Sequence, residues 1–423
     1  MIKVGIIGVG TVGSHVVKIL QENEDIITAR SGKKIVPIIG VVKDTAKKRD
    51  VNIPLSSDVN DVLENPEVDI VVELMGGVDE AYKIVTRALK NKKAVVTANK
   101  ALLAYHRYEL RDLAGSTPIG YEASVAGGIP IIKALREGLS ANHIDAIKGI
   151  MNGTCNFILT KMMNEKAEFA DVLKEAQELG YAEADPTFDV GGFDAAHKLL
   201  ILASIAYGID VKPEEILIEG IEHINSEDIY FAKEFGYNIK LLTIAKKSGD
   251  QVELRVHPAL VPIKQMIAKV DGVMNGISVI GDRVGETMYY GPGAGGSATA
   301  SAVVSDLIDI ARHTQNSPML GFIKPLEKSG LMLMNKDDIC TQYYIRVTVA
   351  DKIGVLSKIS EILGKHSISI SSFLQKQDAK REESAVLLFS THTCKESNIQ
   401  KALHELSELE FVELKPAMIR IEA

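Results

Sequence analysis

Residues 2–20 read Ile-Lys-Val-Gly-Ile-Ile-Gly-Val-Gly-Thr-Val-Gly-Ser-His-Val-Val-Lys-Ile-Leu. A short apolar run leads into Gly8, Gly10 and Gly13 in the order G-x-G-x-x-G, with apolar Val12, Val16, Val17 and Leu20 following at helical spacing. The pattern predicts a strand over Val4–Ile7 that turns sharply into a helix. Gly8 permits the turn, Gly10 lets main-chain N–H groups approach a pyrophosphate, and Gly13 lets the helix lie close to the strand. An anion there meets unpaired N–H groups at the positive end of the helix. The motif alone is common; its place between strand and helix makes it a dinucleotide-binding turn.

Outward from this turn, short β-rich runs alternate with helical ones as far as about residue 130. Ile35–Val42, Val68–Met75, Ala94–Thr97 and Pro118–Ala123 read as strands, with Glu80–Lys90 and Tyr108–Ala114 among the connecting helices. The alternation predicts an α/β fold of the Rossmann type, a doubly wound parallel sheet. Ligands lie beyond the carboxyl ends of such strands, so the decisive residues are Met75–Gly77, Thr97–Lys100 and Glu122–Gly128. Lys100 is expected at the mouth of the cofactor cleft, as a ligand for phosphate or substrate oxygen or as a plain surface lysine. After the second strand come Lys43, Asp44, Lys47, Lys48 and Arg49. An acidic side chain there suits the ribose diol of NAD and basic ones suit a 2′-phosphate, so the cofactor is NADP or NAD, leaning to NADP.

From residue 145 to 300 the alternation is lost. Lys174–Leu179 and Ala195–Tyr207 look helical, Gln251–Val256 looks like a strand, Gly291–Ser297 is a glycine-rich loop, and Ala298–His313 is a long helix. Within Asp189–Ala203, Asp194 and Lys198 stand four residues apart at the start of an apolar helix, which stacks them on one face. Such a pair is either a buried structural ion pair or part of a polar active site. Gly180-Tyr-Ala-Glu-Ala-Asp-Pro186 adds carboxylates upstream. Carboxylates accept charge-assisted hydrogen bonds from a substrate ammonium, and a lysine can protonate an oxygen as hydride reaches its carbon.

The chain of 423 residues is 46% hydrophobic and 25% charged, which is globular and large enough for two or three domains. A net charge of -8 offers no basic footprint for nucleic acid. The apolar run Val4–Val17 is too short for a membrane span, is broken by glycines and lacks a cleavage pattern, so neither membrane nor secretion is expected. Cys155, Cys340 and Cys394 lack metal-ligand spacing and read as reduced cytoplasmic thiols. Asn152-Gly-Thr matches a glycosylation acceptor by letters only.

Pro325–Asp338 reads as a connector, after which the pattern changes again. Tyr344–Val349 is a strand, Asp351–Leu356 a turn, and a helix carrying Leu356, Ile359, Ile362 and Leu363 follows. Strands at Ile368–Gln375 and Ser384–Thr391, a helix at Asn398–Leu406 and a strand at Ala417–Ile421 complete a ferredoxin-like β-α-β-β-α-β order.

Gly8–Gly13, Thr97–Lys100, Glu122–Pro130, Gly149–Thr154, Gly180–Pro186 and Asp189–Lys198 together resemble homoserine dehydrogenases over about the first 320 residues, and Asp351–Leu356 resembles the ligand turn of an ACT domain, with Ile353 where many members have proline. The resemblance implies a dinucleotide domain over 1–130, an α+β substrate and dimerisation domain over 131–325 with the 298–320 helix returning to the first, and an ACT domain over 343–423. It implies NAD(P)H-dependent, reversible reduction of L-aspartate 4-semialdehyde to L-homoserine. Lys198 would be the proton donor with Lys100 beside it, and Glu183 and Asp194 would hold the substrate's amino end. Gly8, Gly10, Thr11, Val12, Gly13, Thr97, Lys100, Gly180 and Gly295 would bind the cofactor, and Glu122, Val125, Gly127 and Ile129 a sodium ion. Cys155 stands where relatives often have a hydroxyl residue. Asp351, Gly354 and Leu356 would bind an amino-acid effector, with threonine the hypothesis, in a dimeric or tetrameric homo-oligomer. The rival readings are a non-catalytic amino-acid sensor on the same scaffold and a dehydrogenase of another small semialdehyde.

Overall fold

The computed structural model describes residues 1–312, 318–324, 331–377 and 383–422. The expected helix end at His313 and residues 325–330 of the connector lie outside the described residues. Contacts divide the chain into two compact units, Met1–Gly153 with Asp194–Glu215 and Val273–Leu331, and Thr154–Phe193 with Ile216–Gly272 and Met332–Ala423.

The first unit holds a six-stranded parallel sheet of β1 (Ile2–Ile7), β2 (Ile35–Val41), β3 (Leu55–Ser56), β4 (Ile70–Glu73), β5 (Ala94–Thr97) and β6 (Ile119–Gly120), in the order β3-β2-β1-β4-β5-β6. The strand order reverses between β1 and β4, and that switch point opens the ligand crevice. Parallel strands covered on both faces need unbroken apolar runs, which Val4–Ile7, Ile70–Val72 and Ala94–Val96 supply. Helix α1 (Thr11–Glu22) buries Val16, Val17 and Leu20 against them. The Gly296–Arg312 helix adds Ala300, Val303, Val304 and Leu307 to the same core. A separate antiparallel trio, Gly285–Pro292, Met274–Gly281 and Ile144–Ile150, completes the unit's strands.

Several expected boundaries move, among them the strand placed at Gln251–Val256, which runs to Pro262, and the helix placed at Lys174–Leu179, which spans Phe169–Glu178. The helix placed at Tyr108–Ala114 begins at Lys100, because Asn99 caps it by accepting from the Leu102 N–H at 3.1 Å, a contact that contributes about 1 kcal/mol. The strand placed at Pro118–Ala123 shrinks to Ile119–Gly120, since the chain turns into a 3₁₀ segment at Glu122–Ser124 against Asp306. The glycine loop Gly291–Ser297 contracts to Gly293–Gly295, because a strand runs to Pro292 and a helix starts at Gly296.

In the second unit the long hairpin Tyr237–Ser248 and Gln251–Pro262 is followed across the sheet by Ala417–Ile421, Cys340–Ala350, Ser384–Thr391 and Ile370–Gln377. The C-terminal β-α-β-β-α-β element therefore extends an existing sheet, with Ala259 and Leu260 paired to Arg420 and Ile421. Its helix Val355–Lys365 buries Val355, Ile359, Ile362 and Leu363, whereas Leu356, expected on that face, is exposed. Residues 355, 359, 362 and 363 keep the i, i+4, i+7, i+8 stripe, and Leu356 falls one step off it.

Candidate functional site

The dinucleotide turn has the form its glycines require. Gly8 adopts φ +103°, and a Cβ on it would lie 2.6 Å from the Leu74 carbonyl oxygen, so no side chain fits. A Cβ on Gly13 would lie 2.4 Å from the Gly8 carbonyl, which is the close helix-to-strand approach. A Cβ on Gly10 would meet nothing within 4 Å, leaving this turn open for a ligand. Thr11 is exposed and Val12 half-buried. The Gly296–Arg312 helix starts against the same place, since a Cβ on Gly296 would lie 2.9 Å from Thr11 and 2.7 Å from His15. Gly295, at φ +116°, is open to its surroundings. Two helix N-termini therefore meet at one place, a favourable one for a pyrophosphate. Beyond β2, Arg49 clamps the neighbouring loop, donating from Nε to Val9 O at 3.0 Å and from Nη1 to Asp44 O and Lys47 O at 2.7 and 2.9 Å.

At the ends of β4 and β5, Thr97 donates to Glu73 at 2.7 Å and accepts from the Asn99 N–H at 3.0 Å. This fixes the start of α5, the fifth helix of the chain after α1, α2 (Glu24–Ser31), α3 (Asn60–Leu63) and α4 (Asp79–Lys90), which spans Lys100–Ala114. Lys100 is its first residue.

Lys100, Asp194 and Lys198 come together as one cluster. Asp194 opens the Phe193–Tyr207 helix; its Oδ1 accepts from Lys100 Nζ at 2.7 Å and its Oδ2 from Lys198 Nζ at 2.8 Å. Lys198 also donates to the Met151 carbonyl at 2.6 Å, and Asn152 Nδ2 donates to Asp194 Oδ2 at 2.9 Å. Burial pushes the Asp194 pKa up, but the Lys198 and Lys100 ammoniums outweigh it and hold the carboxyl far below its ordinary value. The helix N-terminus favours the same ionised form. Asp194 and Lys198 are buried while the Lys100 side chain is 36% exposed, so one amine faces outward. Further along, Tyr105 meets the His197 ring edge-on at 5.6 Å, and the buried Arg107 reaches Ser204. These rungs advance together along both helices, which therefore run in the same direction with their N-termini side by side. Met151 and Asn152 had no assigned chemical role at the level of sequence, and the Asn-Gly-Thr letters gave no clue to it.

Gly180 and Glu183 belong to the second unit, on the loop after the Phe169–Glu178 helix. Gly180 takes φ +76° and Glu183 is exposed.

Glu122 is buried, and its two oxygens accept the Ile132 and Lys133 N–H groups at 2.9 and 2.8 Å. Burial, reinforced by nearby Asp306, pushes its pKa up to about 7. Lys133 sits 3.4 Å from Asp306 and 2.6 Å from Asp309. The Val125–Ile129 turn carries two successive left-handed residues, Ala126 and Gly127, and the Ile129 carbonyl already accepts from the Ile131 N–H. Among the described residues no group of three or more His, Cys, Asp or Glu side chains gathers as a metal site. One carboxylate beside a carbonyl-bearing turn suits only a weakly held hard cation.

In the second unit, Gly354 takes φ +90° with open space around it, and the Asp351 N–H is held by Glu383 O at 2.8 Å. Asp351, Gly354 and Leu356 are all exposed. The buried Arg420 joins this module to the segment that follows the short strand Leu217–Ile218, donating to Glu219 at 2.6 and 2.9 Å and to Glu396 at 2.6 and 2.9 Å.

Known proteins match this architecture along the whole chain. A profile of the homoserine dehydrogenase NAD-binding domain matches residues 8–119, a homoserine dehydrogenase profile matches 130–308, and an ACT-domain profile matches 343–411. The homoserine dehydrogenase of Helicobacter pylori is 56% identical over 421 residues, covering 100% of this chain and 99% of that protein. That of Neisseria gonorrhoeae is 44% identical, covering 100% and 99%. The crystal structure of a homoserine dehydrogenase from Thiobacillus denitrificans superposes with a TM-score of 0.93 at 44% identity, covering 100% and 98%. A hyperthermophilic archaeal homoserine dehydrogenase in complex with NADPH gives 0.63 at 29% identity, covering 73% and 97%. From its glycine turn to its C-terminal ACT domain, the chain belongs to the NAD(P)-dependent homoserine dehydrogenase family.

Proposed function

We propose that, in the family reaction, Lys198 supplies the proton that converts the carbonyl oxygen of L-aspartate 4-semialdehyde into the hydroxyl of L-homoserine, and takes it back in the reverse direction. The nicotinamide supplies or receives the hydride at the same carbon. The observation that carries this reading is the clasp of two ammoniums on one buried carboxylate, with Lys198 Nζ held by Asp194 at 2.8 Å and Met151 O at 2.6 Å. A lysine gripped this way points its N–H groups in fixed directions, so little reorientation accompanies proton transfer. Lys100, more exposed, steadies the oxygen as it gains charge. Asp194 is already engaged by Lys100, Lys198 and Asn152, so we assign it chiefly to orienting the amines and Glu183 to the substrate ammonium. Gly8, Gly10, Thr11, Val12, Gly13, Thr97, Gly180 and Gly295 complete the cofactor's seat.

The finer assignments belong to the same proposal. Lys43, Lys47, Lys48 and Arg49 beside the end of β2 favour the 2′-phosphate of NADP. Sodium would sit by Glu122 with the carbonyls of Val125, Gly127 and Ile129, where a cation eases the repulsion from Asp306. The ACT turn at Asp351, Gly354 and Leu356 would take an amino acid, with threonine as the effector, in a dimer or tetramer. Domain limits of 1–130, 131–325 and 343–423 are supported by the three profile matches. A cytoplasmic location agrees with three free cysteines. The deciding experiment is homoserine oxidation with NADP and with NAD, with and without threonine. Faster turnover with NADP and inhibition by threonine are expected; a preference for NAD, or indifference to threonine, removes the corresponding assignment.

A further inference from the structure

One ionisable group at the crevice has no part in this chemistry. Glu73 ends β4 at the switch point and is completely buried. Its Oε1 accepts the Met75 N–H at 2.8 Å and its Oε2 the Thr97 hydroxyl at 2.7 Å. Because Thr97 Oγ1 also accepts from the Asn99 N–H, its proton is committed to Glu73. Burial pushes the Glu73 pKa up, and the Thr97 hydroxyl, the Met75 N–H, the Asn99 side chain and the Gly76 N–H pull part of the way back toward the carboxylate. Every neighbour is a donor, an arrangement that suits a carboxylate, yet among the described residues no lysine, arginine or histidine pairs with it. Burying a charge without a counter-ion is costly, and a neutral amide would fill the same space.

The surroundings indicate where the balancing charge comes from. The Leu74 carbonyl and Met75 N–H that follow Glu73 press on Gly8 of the dinucleotide turn, at 2.6 and 3.0 Å from the position of a Cβ there. On the other side, Thr97 and Asn99 lead directly into Lys100 and its contact with Asp194. Glu73 thus lies between the pyrophosphate seat and the proton-donating cluster, the span the nicotinamide must occupy. The oxidised nicotinamide is a pyridinium cation with no N–H on its charged nitrogen. It needs no direct ion pair and responds to a fixed charge through a low-dielectric medium. The clasp nearby sets two ammoniums against one carboxylate, so a second negative charge also offsets their repulsion of that cation.

We infer that Glu73 is the electrostatic counter-charge of the oxidised nicotinamide, favouring the oxidised over the reduced cofactor and so setting the redox balance on the enzyme. The inference rests on the cofactor seat proposed above. Its test is calorimetric titration of the folded full-length protein with NADP in both redox forms. Two neutral variants, Glu73→Gln and Glu73→Met, guard against misfolding of either, and Glu73→Asp keeps the charge. The neutral variants are expected to weaken the oxidised form relative to the reduced form by about tenfold. Glu73→Asp is expected to keep the wild-type ratio within about twofold. Equal weakening of both forms in the neutral variants would reduce Glu73 to a support for the loop and overturn the inference. Failure of the wild-type protein to bind either form would instead sink the cofactor seat, and this inference with it.

Discussion

Replacing Lys198 by methionine separates chemistry from architecture. The buried Asp194 loses one partner in this variant but keeps Lys100 at 2.7 Å and Asn152 at 2.9 Å, so its charge is not stranded. The Met151 carbonyl loses its donor, which costs about 1–3 kcal/mol, and the apolar methionine recovers part of that in the same space. We therefore expect the variant to fold, with a melting temperature within roughly 5 °C of wild type. Turnover should fall by about 10²- to 10⁴-fold, the contribution of a general acid, equivalent to roughly 3–5 kcal/mol of barrier. The assay is initial-rate homoserine oxidation followed by nicotinamide absorbance, with calorimetry for cofactor binding. Lys198→Ala with small primary amines in the buffer is a companion measurement, since an amine entering the vacated space should restore part of the rate. A kcat within tenfold of wild type, or a defect confined to cofactor affinity, would refute the assignment.

Asp194→Asn removes a buried carboxylate shared by two ammoniums, and a loss of about 3–5 kcal/mol is expected near neutral pH. Because the folded-state pKa lies below the unfolded value, this stabilisation is present above about pH 4 and disappears as pH falls toward the folded value. Unfolding curves for the two proteins should therefore draw together in acid, and a gap that fails to narrow between about pH 5 and about pH 2 contradicts the argument. Glu122 has the opposite sign: its folded pKa near 7 lies above the ordinary 4.5, so stability is full below about 4.5 and declines as pH rises through 7, by at most about 3 kcal/mol. Sodium bound there would offset the loss, raising the melting temperature at about pH 8 by ~2–4 °C over equal tetramethylammonium and leaving about pH 5 unchanged; identical values at pH 8 remove the sodium site. Arg420→Met leaves the buried Glu396 and the partly exposed Glu219 without their cation and should cost about 3–5 kcal/mol, read by denaturant unfolding. A loss under about 1 kcal/mol would show that the seam is held by main-chain pairing alone.

The parts of this molecule that were readable from sequence are those whose signals are local. The glycine turn, α1 and the strands around it follow from periodicity within about 20 residues, and the Asp194–Lys198 stack follows from one helical turn. The true start of α5 was also local, in the Asn99 cap and the Leu102–Leu103–Ala104 run, but Lys100 and the polar residues after it masked the stripe. The middle strands were legible only in part, Gln251–Val256 being expected but not its continuation to Pro262, for a different reason. Gln251–Pro262 buries Glu253, Arg255 and His257, which read as surface residues until Glu422 arrives to pair with Arg255 from 167 residues away. Asn152 likewise gains its meaning only when Asp194, 42 residues on, folds against it. Hydropathy cannot report a charge whose partner lies on a distant segment.

The pairing of Leu260 with Ile421 has a consequence for biosynthesis. These residues are separated by 161 positions, so although Leu217 and Ile218 can pair early with Arg255 and Val256, the Ala259–Leu260 end of the hairpin's outer margin waits, unpaired, until the C-terminal strand is translated. Closing so distant a contact is slow compared with forming a local hairpin. Until it closes, the Ala259–Leu260 end offers a bare β edge to any other nascent chain, and chaperone demand and aggregation during overexpression should concentrate in that interval.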